Sequence, residues 1–296
     1  MLKKFYVSLA FILFAISLFL GADRFFHHQS TRFSINKMTT VLANPFKWEL
    51  PPLSSQEKSE LSHILNQKFT YYNKGSQSYV FISEDKKYIL KFFKQQKFTS
   101  RSWLAHIPLS FNPYYQEYLF KQNKCRSALE AFKTAFTELS QETGLLYVHM
   151  SPSQSFHQRV MLLDKNSEGH SVDLGKMVFC VQKHADLIYS RIIELMHQGD
   201  VEGAKKIISS VFSLIDHLGK KGVVDNDPIL RKNFGLIEDV AVQIDIGKLR
   251  IDPSRGKNLL YKQEIGSITH SFKVWIETYY PELSSHFEQC LRAAIS

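Results

Sequence analysis

The chain has 296 residues, of which 44% are hydrophobic and 23 are Phe, so it can bury a sizeable core and lacks the composition of a disordered protein. Its formal net charge of +9 fits a phosphate-bearing ligand, an anionic membrane surface or nucleic acid. The basic residues are scattered and form no run interleaved with aromatic residues, so we expect no nucleic-acid partner.

An uncharged segment covers residues 5–22 and follows a short basic stretch at residues 1–4. Its length is about that of a helix crossing roughly 30 Å of hydrocarbon, which predicts a single-pass N-terminal membrane anchor and a membrane location. The alternatives are a cleaved signal peptide, for which Leu20-Gly21-Ala22 is a poor cleavage site, and a buried core helix. Basic residues flank both ends of the segment, so the side of the membrane stays open.

Residues 23–55 show no clear period and end near Pro51-Pro52, which is typical of a linker after the 1–22 segment. One folded domain is then predicted over residues 56–296. It begins with a short helix at 55–66, opened by a serine cap with Glu57 in its first turn.

The remaining pattern predicts a strand-rich half with one helix, followed by a helix-rich half. Residues 94–123 contain two prolines and are predicted to be irregular. The predicted strands are 69–73, 78–83, 88–93, 145–150, 159–164, 177–182, 233–236 and 240–245, and the predicted helices are 124–142, 185–198, 201–219 and 268–293 with a break near Pro281.

The three cysteines, Cys125, Cys180 and Cys290, lie far apart and form no C-x-x-C pair. This spacing supports neither a disulfide framework nor a structural zinc site, so we expect small buried hydrophobic residues.

A glycine-bearing turn joins the first two strands, and a lysine, Lys91, stands in the third. This order resembles the ATP-binding half of protein kinases, where a glycine-rich loop approaches the phosphates and a lysine neutralises their charge. The resemblance implies that Gly75, Ser76 and Ser78 lie at the phosphates, that Val80 lies against the adenine and that Lys91 holds the phosphates. Only one loop glycine is present, and glycine-turn hairpins followed by lysine are also common in other folds.

Residues 222–236 (GVVDNDPILRKNFGL) resemble the kinase catalytic loop H-R-D-x-x-x-x-N. The resemblance implies that Asp227 is the catalytic aspartate and that Asn233 binds a metal ion. Asp225-Asn226 replace the His-Arg pair, and one extra residue separates Asp227 from Asn233. The same sequence is also a good turn, which is the simpler alternative.

Residues 242–247 (VQIDIG) resemble the strand that ends in D-F-G, with isoleucine in place of phenylalanine. The resemblance implies that Asp245 binds the Mg²⁺ ion that bridges the ATP phosphates. A plain strand end is the alternative explanation.

Kinases also pair the strand lysine with a helix glutamate, and Glu130 is the predicted partner of Lys91. Glu138 and Glu117 are its rivals, and all three residues are also explained as exposed helix positions. Residues 182–184 stand where kinases have the hinge that binds adenine through backbone groups.

The resemblance covers about residues 66–250 and implies a two-lobed, α+β, kinase-like fold. Its N-terminal lobe, with an antiparallel sheet and one helix, would span 56–183, and a short, mainly helical C-terminal lobe would span 184–296. One transmembrane helix would precede both. No A-P-E sequence follows Gly247, and about fifty residues remain, as in small kinases that phosphorylate sugars or lipid-linked saccharides such as lipopolysaccharide, or in inactive relatives.

The predicted function is a membrane-tethered phosphotransferase that depends on ATP and Mg²⁺, with its acceptor left open. The main alternative is a catalytically inactive, kinase-fold scaffold or binding protein at a membrane. A third is an unrelated α+β protein in which these residues are surface or turn positions. The sequence has no G-x-S-x-G, H-E-x-x-H or P-loop lysine motif, so other enzyme classes find little support.

Overall fold

The computed structural model describes the chain in six stretches and five single positions: 50–75, 77–94, 112–150, 156–225, 228–257 and 259–296, with Phe14, Ser17, Leu18, Met38 and Trp48. The chain divides into two units, residues 1–37 and 38–296. In the first unit the three described positions are helical.

The anchor predicted at residues 5–22 lies outside the described residues except at Phe14, Ser17 and Leu18. Within the described part of the chain, no helix combines the length and the apolar character needed to cross a bilayer. The anchor therefore stays a prediction.

Twelve strands and nine α-helices are present in the described residues of the second unit. The strands are β1 (Lys68–Lys74), β2 (Ser78–Ser83), β3 (Tyr88–Phe93), β4 (Leu145–His149), β5 (Arg159–Leu163), β6 (Gly169–Asp173), β7 (Phe179–Lys183), β8 (Asp186–Leu187), β9 (Val223–Asp225), β10 (Phe234–Ile237), β11 (Val240–Gln243) and β12 (Leu249–Ile251). The helices are α1 (Ser55–Leu65), α2 (Pro113–Glu138), α3 (Ser140–Thr143), α4 (Ile188–His197), α5 (Val201–Lys220), α6 (Leu230–Asn233), α7 (Pro253–Lys257), α8 (Lys262–Tyr279) and α9 (Ser284–Ile295).

The largest sheet has seven strands in the order β4-β7-β3-β2-β1-β5-β6. Strands β1, β2 and β3 form the antiparallel meander that the sequence predicted. Strand β7 then inserts between β3 and β4, antiparallel to both. Strand β5 runs parallel to β1 and pairs with β6, which lies between the predicted strands 159–164 and 177–182 and was not itself predicted.

Helix α2 starts earlier than predicted. The sequence placed its start at residue 124 because Pro113 was interpreted as a breaker within an irregular stretch. In the structure Pro113 is the first helical residue, where its missing N–H costs nothing, and the Asn112 side chain accepts a hydrogen bond from the Tyr114 N–H. Gly144, at φ 63°, ends the short helix α3 that follows.

The second half of the chain is helical, as predicted, with two small sheets of order β11-β10-β8 and β12-β9. Helix α5 buries the side that carries Ile208, Val211 and Phe212. The ring of Phe212 meets Phe287 of α9, and Phe287 in turn meets Phe272 of α8, with centroids 5.1 and 5.7 Å apart. These contacts make α5 the central helix of this half.

The chain after β12 returns to the C-terminal end of α5. Strand β12 pairs with β9, Leu249 opposite Asp225, and the Asp252 N–H then donates to the Gly222 carbonyl at 2.8 Å. Gly222 has a φ of 73°, and a Cβ there would lie 2.2 Å from the Asp252 oxygen. Glycine is therefore required at this close approach.

Gly219 of α5 offers a test of packing, because a Cβ built there would lie 2.0 Å from the Tyr261 ring. We expect Gly219→Ala to destabilise the fold by about 1–3 kcal/mol through overpacking, although alanine favours a helix. Gly266→Ala in α8 is the matched control, since nothing lies within 4 Å of its new Cβ, and it should stabilise by about 0.5–1 kcal/mol. Denaturant unfolding of both variants measures the difference, and equal midpoints would contradict this packing.

Cys125 and Cys180 are buried and Cys290 is half-buried, all as free thiols. Burial raises the pKa of Cys125 and of Cys180 to about 11, which keeps both thiols protonated at neutral pH. Both therefore behave as the small buried residues that the sequence predicted.

Candidate functional site

A cleft of about 550 Å³ lies between the seven-stranded sheet and the helical half. We call this space the cleft. Its lining comes from the sheet, from the connection after β7, from α4 and from the residues after β11: Tyr72, Asn73, Gly75, Gln77, Ser78, Val80, Ile89, Lys91, Phe93, Phe132, Gln182–Leu187, Ser190, Arg191, Glu194, Lys232 and Ile244–Gly247.

The β1–β2 turn forms one wall, as the resemblance implied. Gly75, Ser78 and Val80 all line the cleft, and Val80 stands directly opposite Lys91 in the β2–β3 pair. The Gly75 N–H donates to the Ser78 carbonyl at 3.0 Å, so this N–H closes the turn. Ser76 lies outside the described residues.

A buried lysine, Lys94, stabilises this turn through hydrogen bonds to its backbone carbonyls. Lys94 is 7% exposed, its ammonium group donates to the Gly75 carbonyl, and it lies over the Tyr79 ring at 5.2 Å. Its own N–H donates to the Gln77 carbonyl at 2.8 Å. The turn is therefore fixed by side-chain and backbone bonds, although it has only one glycine.

Lys91 extends from β3 into the cleft. Its Nζ donates to Gln182 Oε1 at 2.6 Å and to the Ile244 carbonyl at 2.9 Å. Ile244 is the residue directly before Asp245, and both line the cleft. The structure thus brings Lys91 to the segment that carries Asp245.

The predicted pair of Lys91 with Glu130 is wrong. Glu130 is exposed on α2, and the Lys91 ammonium bonds to Gln182 and Ile244 instead. The buried side of α2 carries Ala128, Leu129, Phe132 and Ala135, so Phe132 and not Glu130 points into the cleft.

The two rival glutamates do not contact Lys91 either. Glu117 pairs with Lys121 at 2.8 Å, one turn away on α2. Glu138 is exposed near the end of α2, where its backbone carbonyl accepts from Lys221 at 3.1 Å.

Asn233 and Asp245 lie side by side. The Asn233 carbonyl accepts from the N–H groups of Ile244 at 2.7 Å and of Asp245 at 3.4 Å, which continues the β10–β11 pairing. Asn233 is 7% exposed, whereas the Asp245 side chain is exposed in the cleft. A carboxylate and an amide are oxygen donors of the kind that Mg²⁺ accepts, but only Asp245 lines the cleft, so the metal site stays a prediction.

Asp227 lies outside the described residues, but both ends of its loop are fixed. On one side, Asp225 Oδ2 accepts from the buried Gln243 Nε2 at 2.7 Å. On the other, Asn233 is held against the segment that carries Asp245. The catalytic role of Asp227 stays a prediction.

The connection after β7 forms the far wall, where the sequence predicted an adenine-binding hinge. The N–H groups of Lys183 and His184 donate to the carbonyls of Gly144 and Lys87, each at 2.8 Å. These two N–H groups are thus used within the fold, and a ligand at this wall would have to meet other backbone groups.

Strand β10 passes very close beneath this connection at Gly235. A Cβ at Gly235 would lie 2.9 Å from the Ala185 Cβ and 3.0 Å from the Asp186 carbonyl oxygen. Glycine therefore allows the two halves of the chain to approach at the edge of the cleft.

The outer edge of the cleft is braced by Arg191 of α4. Its guanidinium binds Asp239 through two bonds of 2.9 and 3.1 Å and Glu194 through one of 2.8 Å. The bonds from Arg191 lower the pKa of Asp239. Asp239 and Glu238 both have positive φ and form the two-residue β10–β11 turn, which Arg191 attaches to α4.

Sequence reasoning missed three residues of this site. Gln182 was assigned only to the hinge, yet it contacts Lys91. Lys94 was not singled out, because burial of a lysine leaves no sequence signal. Gln77 was missed because it contacts a segment far away in the sequence. A Cβ built on Gly247 would lie 2.9 Å from Gln77 Oε1.

These elements together define a kinase-like fold. A strand meander with a glycine turn, the lysine of β3, one long helix before β4, and an aspartate directly after the β10–β11 pair meet at one cleft between a sheet and a helical half. The fold class is α+β, as predicted.

No family model matches the sequence, and no curated protein does. Among solved structures the chain is similar to the bifunctional kinase-methyltransferase WbdD, at 16% identity and a TM-score of 0.34, over 75% of this chain and 45% of WbdD. The co-crystal structure of WbdD with the kinase inhibitor LY294002 has 15% identity and a TM-score of 0.31, and the match covers 75% of this chain and 45% of WbdD. The Rv3197–erythromycin complex from Mycobacterium tuberculosis has 15% identity and a TM-score of 0.34, and the match covers 81% of this chain and 61% of Rv3197.

The chain spans less than half the length of WbdD and about three fifths of the mycobacterial protein. At these TM-scores the likeness assigns no residue role and no activity to this chain. Its kinase-like topology is evident from its own strands and helices.

Proposed function

We propose that the protein is a membrane-tethered, ATP- and Mg²⁺-dependent phosphotransferase whose acceptor is still to be identified. The observation that carries the proposal is the bond from Lys91 to the carbonyl of Ile244, which places a cation beside Asp245 inside a cleft of about 550 Å³. A cleft of this volume is in the range that accommodates a nucleotide.

In this proposal the cleft binds ATP between its two walls. Val80 and Ile89 of the sheet and Ile244 below them offer an apolar slot for the adenine. Lys91 offers the charge for the phosphates, with Gly75, Ser76 and Ser78 at the turn above them.

Magnesium would be held by Asp245 and Asn233, and it would neutralise charge on the transferring phosphoryl group. Asp227 would orient the acceptor hydroxyl and accept its proton. Phosphoryl transfer depends mainly on such positioning and charge stabilisation, so the short C-terminal half is compatible with activity.

The direct test is titration of the full-length protein with ATP, with and without Mg²⁺. We expect saturable binding that strengthens with Mg²⁺. Lys91→Met should weaken it by about tenfold or more, since a charged hydrogen bond contributes about 1.5–3 kcal/mol. Lys58→Met, an exposed lysine of α1, is the control and should bind as wild type does. No binding by the wild type would refute the proposal.

A catalytically inactive nucleotide-binding or scaffold protein is the second candidate. The exposed position of Glu130 and the amide partner of Lys91 favour it, since kinases use a glutamate there. Under this candidate the protein binds Mg²⁺–ATP but shows no turnover.

Membrane attachment through residues 5–22 is proposed from the sequence alone. We expect the full-length protein to remain in the membrane fraction after carbonate washing, with residues 1–22 still attached. N-terminal sequencing of the washed protein measures this. A mature N-terminus near Asp23 would replace the anchor with a cleaved signal peptide.

A further inference from the structure

The ammonium group of Lys91 is held by an amide where kinases use a carboxylate. Lys91 Nζ lies 2.6 Å from Gln182 Oε1. Gln182 is 2% exposed, so water does not compete for this bond. On its other side, Gln182 Nε2 donates to the Thr143 carbonyl at 2.6 Å. Because an amide has one donor end and one acceptor end, the bond to Thr143 decides that the acceptor faces Lys91.

We propose that Gln182 is the positioning residue for Lys91, and that the short helix α3, through Thr143, sets its orientation. The proposal rests on the nucleotide-binding function proposed above. It deepens that function by assigning the duty that the sequence had assigned to Glu130.

Helix α3 is itself held in place by several hydrogen bonds. Thr143 is fully buried, and its Oγ1 donates to the Leu139 carbonyl at 2.7 Å. The preceding residue, Glu142, accepts from Lys221 Nζ at 2.5 Å and lies 2.7 Å from His217 Nε2. Lys91 of the sheet is thereby connected through Gln182 and α3 to the C-terminal end of α5, in the helical half.

The neutral partner has an electrostatic consequence. A glutamate would cancel part of the lysine charge, whereas an amide orients the ammonium group without neutralising it. The charge of Lys91 thus remains available to an anionic ligand. The long helix α2 contributes the apolar Phe132 to the cleft, and its last carbonyl, that of Glu138, accepts from Lys221.

Two substitutions at Gln182 separate positioning from packing. Methionine has a similar length without the acceptor oxygen. Glutamate keeps an acceptor for Lys91, either as a carboxylate or as a protonated acid that also donates to the Thr143 carbonyl. Two readouts apply to the full-length protein: acylation of Lys91 by an amine-reactive reagent without nucleotide, followed by mass spectrometry, and affinity for Mg²⁺–ATP.

We expect Gln182→Met to accelerate Lys91 acylation by about threefold or more and to weaken Mg²⁺–ATP binding by about tenfold. Gln182→Glu should bind Mg²⁺–ATP more tightly than Gln182→Met but less tightly than wild type, because its charge cancels part of the Lys91 charge, and it should not accelerate acylation. If the methionine variant does not fold, Gln182→Asn replaces it, because its shortened amide cannot reach Lys91, and the same acceleration is expected.

Gln243→Met is the matched control for acylation, because Gln243 is equally buried but bonds to Asp225 instead of Lys91. It should leave the acylation rate of Lys91 unchanged. The proposal is overturned if Gln182→Met acylates at the wild-type rate, or if Gln182→Glu is no better than Gln182→Met. Since acylation needs no nucleotide, a wild type that fails to bind ATP would refute the proposed function while the role of Gln182 is still decided.

Discussion

Asp245→Asn is expected to weaken Mg²⁺-dependent ATP binding by about tenfold to a hundredfold, which corresponds to about 1.5–3 kcal/mol. The Asp245 side chain is exposed in the cleft, on a segment held between Asn233 and the ammonium group of Lys91. Asparagine keeps the size of the side chain but removes the charge that a hard cation requires.

The effect should depend on the metal ion. Without Mg²⁺, Asp245→Asn should leave ATP affinity unchanged or raise it slightly, because the substitution removes a negative charge near the phosphates. Calorimetric titration with and without Mg²⁺ measures both constants. Glu168→Gln, which removes an exposed charge at the β5–β6 turn, serves as the control. An equal loss with and without Mg²⁺ would contradict the metal-binding role.

Asp227→Asn is expected to lower turnover by on the order of a hundredfold or more while ATP affinity stays near wild type. In the proposed function this carboxylate orients the acceptor hydroxyl and accepts its proton, which matters mainly in the transition state. The measurement is ATP hydrolysis or phosphate transfer by the full-length protein, beside ATP affinity. Binding without any turnover that depends on Asp227 would establish the scaffold alternative.

Asp225→Ala serves as the control for this loop. It removes the acceptor of the buried Gln243 amide and leaves that donor without its partner. We expect a loss of stability of about 1–3 kcal/mol together with lower turnover. Thermal unfolding distinguishes this structural effect from the chemical effect of Asp227→Asn, which should melt near the wild-type temperature.

The strands of the meander could be predicted because their sequence signals are local. Residues 78–83 and 88–93 are rich in aromatic and β-branched residues and are bounded by polar turns, and the structure has the same bounds. The pairing of β7 with β3, in contrast, joins residues about ninety positions apart. A pattern within a window carries no information on such a partner.

The predicted pairing of Glu130 with Lys91 could have been rejected from the sequence. Leu129 and Phe132 mark the apolar side of α2, and at 100° per residue Glu130 falls away from it. The helix phase could therefore have excluded Glu130. No pattern could have identified Gln182 instead, because its role depends on the meeting of β3, β7 and α3 in space.

The stretch after Asp245 has a bearing on control of the protein. Kinases that are switched by phosphorylation order or release this stretch. Here β12 is already paired with β9, and Asp252 is bonded to Gly222 at the end of α5, so residues 249–257 follow one fixed path. A conformational change in that stretch would have to break the β9–β12 pairing and the bond from Asp252 to Gly222.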